Sequence, residues 1–328
     1  MPMNYTKTAL LLAALTGIFI AMGAAVGGRA GIVVAFVIAL VMNLISLWKS
    51  DTMVLRMFKA REVDDGSAPE FTALVRELSQ RAGLPMPRVY LMDTPQPNAF
   101  ATGRSPSRAA VCASQGLLDA LSREELAGVI AHELAHVKNR DTLTMTVAAT
   151  IGGAVSMFAQ YLQWGMLFGG GRSSDGRGGG LLGTLFAALV APLAAMMVQM
   201  AISRSREYQA DRMGAALVGN PLWLASALKK INVLARQIAN ERAEQIPAAA
   251  HLFIINPLNG RGFDSLFATH PDTENRIAEL EALAREMGIT DANTGKVPVG
   301  RPSQPGENRN GGVWVAGSNQ ASSRGPWG

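Results

Sequence analysis

Ala131-His132-Glu133-Leu134-Ala135-His136 is the stretch on which the reading of this chain turns. Two histidines four residues apart on an α-helix lie on one face, so both imidazoles reach a single metal ion. Glu133 projects to the side where a metal-held water sits and takes its proton. Zinc lowers the pKa of that water, so a carboxylate suffices as base. The chain has only four histidines, which makes the spacing informative. The bland alternative, two hydrogen-bonded helix histidines with an ordinary charged neighbour, leaves Glu133 without a reason on an apolar helix. Ser122-Arg123-Glu124-Glu125 is a capping-box pattern that predicts the helix itself, from Arg123 to about Asn139.

Catalytic zinc takes a third protein ligand and keeps a fourth position open. A third histidine six residues after the second would mark one large class, but Thr142 stands there. A helix is expected over Arg204 to Val218, with Glu207 and Asp211 at i and i+4. Glu207 is the candidate third ligand. Asp211 is the candidate acceptor that orients a zinc-bound imidazole through its other nitrogen. The same helix is equally readable as an exposed one whose Arg204, Arg206 and Arg212 form surface ion pairs, and local sequence leaves both readings open.

Composition points to a membrane. Of the 328 residues 48% are hydrophobic and only 17% charged, with a positive mean hydropathy. Four stretches lack Asp, Glu, Lys and Arg: Thr8 to Gly28, Ala30 to Leu47, Thr142 to Gly171 and Gly178 to Ser203. Each has the roughly 20 residues that cross a hydrocarbon core about 30 Å thick. The first two read as a helical hairpin turning at Gly27 to Gly31; a cleaved signal peptide fits less well, because a second apolar span follows at once. The third and fourth carry Gln160, Gln163, Trp164, Pro192 and Gln199, and are expected to span or to pack over the site as a second hairpin. An even number of crossings puts the rest of the chain on one side. Lys49, Arg56, Lys59 and Arg61 just past the second span make that side the cytoplasm.

The single cysteine, Cys112, excludes an intrachain disulfide and fits a reduced compartment. The net charge of +5 is scattered and flanks apolar spans, which favours a membrane surface over nucleic acid. Five segments follow: 1–48 a transmembrane hairpin; 49–141 the first part of a protease domain; 142–203 the second apolar hairpin; 204–292 the second part; and 293–328 a tail too poor in large apolar residues to order itself. Within 49–141, a helix over Glu70 to Arg81 precedes short β-prone runs at Val89 to Met92, Asn98 to Thr102 and Ala109 to Ala113. The fold class is therefore an α+β membrane protein, mainly helical and zincin-type, with a small antiparallel sheet.

His-Glu-Leu-Ala-His at 132–136, Ser-Arg-Ser-Arg-Glu-Tyr-Gln-Ala-Asp at 203–211, Phe-Ala-Thr-His-Pro-Asp-Thr-Glu-Asn-Arg-Ile at 267–277 and Pro-Asn-Ala-Phe-Ala-Thr-Gly at 97–103 stand in order along the chain. Together they resemble the HtpX membrane proteases, bacterial relatives of the CAAX prenyl endopeptidases, over roughly residues 5 to 290. The resemblance implies zinc-dependent endoproteolysis in the cytoplasmic membrane, in quality control of damaged membrane proteins. It implies one Zn²⁺ on His132, His136 and Glu207, Glu133 as base and Asp211 as supporting carboxylate. It also implies that His270 and Arg276 line the cleft and stabilise charge developing on the scissile carbonyl oxygen. Asn98, Ala99 and Val111 lie in two strands whose edge is expected to pair with an extended substrate. A scaffold with structural zinc is the competing function, and Glu133 discriminates against it. A transporter would need ionisable residues within the spans, and they hold none.

Overall fold

The computed structural model describes residues 2–149, 204–238, 252–255 and 272–290. The second apolar hairpin beyond residue 149, His251, His270 and the tail from 293 lie outside the described residues.

Helix α1, Pro2–Met57, is interrupted at Gly28, whose φ of 56° and ψ of −135° are open to glycine and strained for other residues. There the chain folds back on itself. Asn43 Nδ2 donates to the Leu12 carbonyl at 3.3 Å and to Thr16 Oγ1 at 2.9 Å across the two arms. A Cβ on Gly23 would collide with the Gly31 carbonyl, so glycine at both positions lets the backbones touch. One run in this hairpin, Gly28–Ser46, is long and apolar enough to cross a membrane; Thr8–Ala21 in the first arm is a shorter apolar run.

Past Ser46 the second arm continues into the domain, and Val54, Leu55 and then Phe58 pack on a four-stranded sheet. Its strands are β1 (Arg61–Val63), β2 (Arg88–Met92), β3 (Ala99–Thr102) and β4 (Ala110–Ser114), in the order β1-β2-β4-β3. The expected antiparallel sheet is in fact mixed: β2 pairs parallel with β4, while β1 with β2 and β3 with β4 are antiparallel. Side-chain alternation specifies which face a residue takes but not which strand lies beside it.

That alternation divides the sheet cleanly. Val89, Leu91, Ala99, Ala101, Val111 and Ala113 face one core with helices α2 (Pro69–Ala82) and α4 (Arg123–Asn139); α3 (Gln115–Ala120) separates β4 from α4. Tyr90, Met92, Phe100, Ala110 and Cys112 face the end of α1 and Phe253 on the other side. Phe58, Phe100 and Phe253 meet there with ring centroids 4.8 to 5.8 Å apart.

The expected capping box is present: Ser122 Oγ accepts from the Glu125 N–H, and the Ser122 N–H donates to Glu125 Oε2. Helix α4 ends at Arg140, which takes a left-handed φ of 59°, and a further helical run occupies residues 141–149. Three helices complete the described domain: α5 (Arg204–Val218), α6 (Pro221–Gln237), capped by Asn220, and α7 (Thr273–Glu286). Two glycines set how closely they approach α4. A Cβ on Gly128 would stand 2.8 Å from the Leu224 nitrogen of α6, and one on Gly214 of α5 would stand 2.9 Å from the His132 nitrogen. Glycine inside a helix costs about 1 kcal/mol against alanine, and here the missing side chains let backbone lie on backbone.

Candidate metal centre

Glu207, Asp211 and Gly214 lie at i, i+4 and i+7, on one face of α5. Because Gly214 brings that face onto α4 at His132, the two carboxylates arrive beside the two histidines. His132, Glu133, His136, Glu207 and Asp211 are all buried, none more than 3% exposed.

His132 Nε2 lies 3.2 Å from His136 Nε2 and 3.7 Å from Glu207 Oε2, and His136 Nε2 lies 3.5 Å from Glu207 Oε1. A tetrahedral zinc with bonds of 2.0 to 2.2 Å separates its ligand atoms by about 3.3 to 3.6 Å. Two imidazole nitrogens and a carboxylate, spaced close to these distances, fit zinc. Among the described residues these three form the group able to hold a metal.

The other ring nitrogens are also engaged. His132 Nδ1 faces Asp211 Oδ1 at 2.8 Å, and Arg276 of α7 grips the same carboxylate with Nε and Nη2 at 2.9 and 2.7 Å. Burial by itself raises the Asp211 carboxyl, but the Arg276 guanidinium and His132 outweigh it and hold it down at about 2. His136 Nδ1 faces Asp141 Oδ2 at 3.3 Å, and Arg206 donates to Asp141 Oδ1. Sequence reasoning passed over Asp141 and Arg206. The signal for Asp141 was its place one residue past the helix that carries the histidines; Arg206 was read only as a surface cation.

Glu133 is held from the sheet. It accepts a hydrogen bond from the Ala101 N–H of β3. Burial pushes its carboxyl above the usual range, and Glu207 adds to this, while His132, His136 and the Ala101 N–H draw it down. A carboxylate held this way is a better proton acceptor than an exposed one.

Arg276 lies against Asp211 and His132. It is 1% exposed, and its guanidinium is committed to Asp211 and, through Nη1, to the Ile254 carbonyl at 2.9 Å. Its Nη2 also lies 3.5 Å from His132 Nδ1, so it acts on His132 both directly and through Asp211. His270 lies outside the described residues.

The strand expectations divide. Val111 sits on β4, inside the sheet between β2 and β3, and presents no edge to a peptide. β3 is an edge strand, but residues 252–255 already run along its start: the Ile254 N–H donates to the Ala99 carbonyl at 3.1 Å, and Asn98 Nδ2 donates to the Ile255 carbonyl at 3.1 Å. Asn98 and Ala99 are thus engaged by the chain itself, and Ala101 is the β3 residue that reaches Glu133.

Among solved structures the chain is similar to Ste24p of S. mikatae, at 21% identity and a TM-score of 0.45, over 85% of this chain and 64% of that one. The model of Peptidase family M48 matches residues 66–284, which include α4, α5 and most of α7. With His132, Glu133, His136 and Glu207 all inside the matched stretch, the chain belongs to peptidase family M48, whose members are metallopeptidases.

Proposed function

We propose that this protein is a zinc-dependent endopeptidase of the cytoplasmic membrane that hydrolyses peptide bonds in damaged or misfolded membrane proteins as part of a stress response. The observation that carries the reading is the spacing of His132 Nε2, His136 Nε2 and Glu207 at tetrahedral distances, with a buried, non-ligating Glu133 beside them.

His132, His136 and Glu207 hold the ion. When bound there, zinc supplies Lewis acidity toward a peptide carbonyl and a water. Glu133 takes the proton of the attacking water on its carboxylate and passes it to the departing amine nitrogen. Asp211 and Arg276 keep the His132 ring turned, with its Nδ1 hydrogen on a carboxylate and its Nε2 lone pair toward the metal position. His270 is the remaining candidate for stabilising charge on the carbonyl oxygen, a role for which Arg276 is not free. Protein substrates are expected to bind as extended strands near Ala101, largely through backbone hydrogen bonds. The bilayer is contacted through α1, and the positive residues after Ser46 support a cytoplasmic orientation of the domain.

A scaffold with structural zinc gives no account of Glu133. A fourth carboxylate buried at such a site costs free energy, and a structural-zinc site gains nothing in return for it.

The test is zinc content and casein cleavage of detergent-purified protein, wild type beside Glu133→Ala, with zinc returned after chelation. The reading expects stoichiometric zinc in both proteins and cleavage only in the wild type. Zinc in both with cleavage in neither would make the structural-zinc scaffold the better account.

A further inference from the structure

We propose that Asp141 and Arg206 form a positioning pair that orients His136 and latches α5 onto α4, so that this ligand and Glu207 reach the metal position together. The inference rests on the zinc reading above.

Asp141 and Arg206 lie 65 residues apart in sequence, one just before and one just after the apolar stretch 142–203. Their side chains nevertheless form a direct ion pair in which Asp141 is 4% and Arg206 14% exposed. A buried carboxylate this close to a metal ligand is destabilising unless compensated, and both of its oxygens are engaged: Oδ1 by Arg206, Oδ2 by His136 Nδ1 at 3.3 Å.

The backbone serves the same contact. Arg140 takes a left-handed φ of 59° without being glycine, a conformation that costs roughly 1 kcal/mol, and this turn brings Asp141 back beneath His136. The arrangement repeats the chemistry of the other histidine, where Asp211 holds Nδ1 and Arg276 holds Asp211. A carboxylate on Nδ1 fixes the tautomer and directs the Nε2 lone pair at the metal. The two arms differ in where the arginine sits. Arg206 immediately precedes Glu207 in the first turn of α5, so the residue that steadies His136 and the residue that supplies the third ligand move as one rigid element.

The experiment measures zinc affinity of the full-length protein in detergent, by competition with a chromophoric chelator, and the visible absorption of the cobalt-substituted form, which reports ligand geometry. Asp141→Ala is expected to weaken zinc binding 10- to 100-fold and to shift the cobalt bands. Arg206→Ala is expected to weaken it by about tenfold. The double variant is expected to bind no more weakly than the worse single one, because the two act as a unit. Arg212→Ala, on the same helix as Arg206, removes only an exposed ion pair with Glu279 of α7 and is expected to leave affinity and spectrum unchanged. If Asp141→Ala does not fold, Asp141→Asn, which keeps the volume, carries the same readouts with a smaller expected loss. Affinity within twofold of wild type with unmoved cobalt bands in the Asp141 variants, or losses that simply add in the double, would overturn the pair. A wild type that binds no zinc would instead overturn the function proposed above.

Discussion

The apolar hairpin of α1 and the candidate metal centre invert the usual disposition of polar and apolar groups in opposite directions. In the second arm of α1, Val33, Val34, Phe36 and Val37 stand about half exposed, whereas α4 buries His132, Glu133 and His136 almost completely. Each inversion has its own compensation. The apolar surface is stable where its solvent is hydrocarbon, and needs only a helix that satisfies its own backbone. The buried charges are stable because each carboxylate has a named partner, in chains that run from α4 to α5 and on to α7. One region is therefore governed by its surroundings and tolerates many apolar sequences; the other is governed by pairing and tolerates few substitutions.

If that contrast is right, the largest loss follows removal of a ligand. Glu207→Ala is expected to lose bound zinc and all measurable peptidase activity while the protein stays membrane-bound, checked by metal analysis and casein cleavage; tightly held stoichiometric zinc in this variant would remove Glu207 from the ligand set. Next comes Arg276→Ala, which takes the guanidinium from a buried carboxylate and leaves Asp211 with His132 Nδ1 alone. A destabilisation of about 3 to 5 kcal/mol is expected, read from denaturant or thermal unfolding. On the hairpin side, Val34→Arg places a charge in mid-span and is expected to disfavour insertion by about 3 kcal/mol, read as the membrane fraction in a glycosylation or fractionation assay. The protein that does insert should keep its zinc, which separates the two regions.

The smallest effect is one of pH. The Asp211 carboxyl is lowered from its ordinary 3.8 to about 2 in the folded protein, so the stabilisation it brings is full above pH 4 and is lost as pH falls toward 2. A shift of that size is worth on the order of 2 kcal/mol. The difference in unfolding midpoint between wild type and Asp211→Asn should therefore shrink between pH 6 and pH 3; an unchanged difference would argue that Arg276 does not hold the carboxylate in its charged form.

Much of this protein was legible along the chain. His132, Glu133 and His136 were readable because four-residue spacing on a helix is a local rule, and the capping box at Ser122 located the helix that carries them. The turn at Gly28 and the apolar arms were readable for the same reason: length and composition alone decide what a bilayer accepts. Glu207 and Asp211 were half readable. Their i, i+4 spacing placed them on one face, but it was equally consistent with exposed ion pairs, and Gly214 gave no hint that its missing side chain would let that face meet His132.

The remainder was decided in three dimensions. Strand order depends on long-range pairing, so nothing in the β-prone runs indicated that β4 would lie between β2 and β3 and take Val111 out of reach of a substrate. Nor does sequence say which carboxylate an arginine will find: Arg276 reads as a cation near two glutamates of its own helix, yet it binds Asp211 of another, and Arg206 reads as a surface charge, yet it closes on Asp141 across the apolar stretch. What the sequence determined by itself was therefore the chemistry carried by each helix and the solvent each helix can bear, because helical periodicity and hydropathy act within one segment. What the tertiary structure decided was which of those groups meet, because a buried charge is stable only beside its partner, and that partner comes from a distant part of the chain.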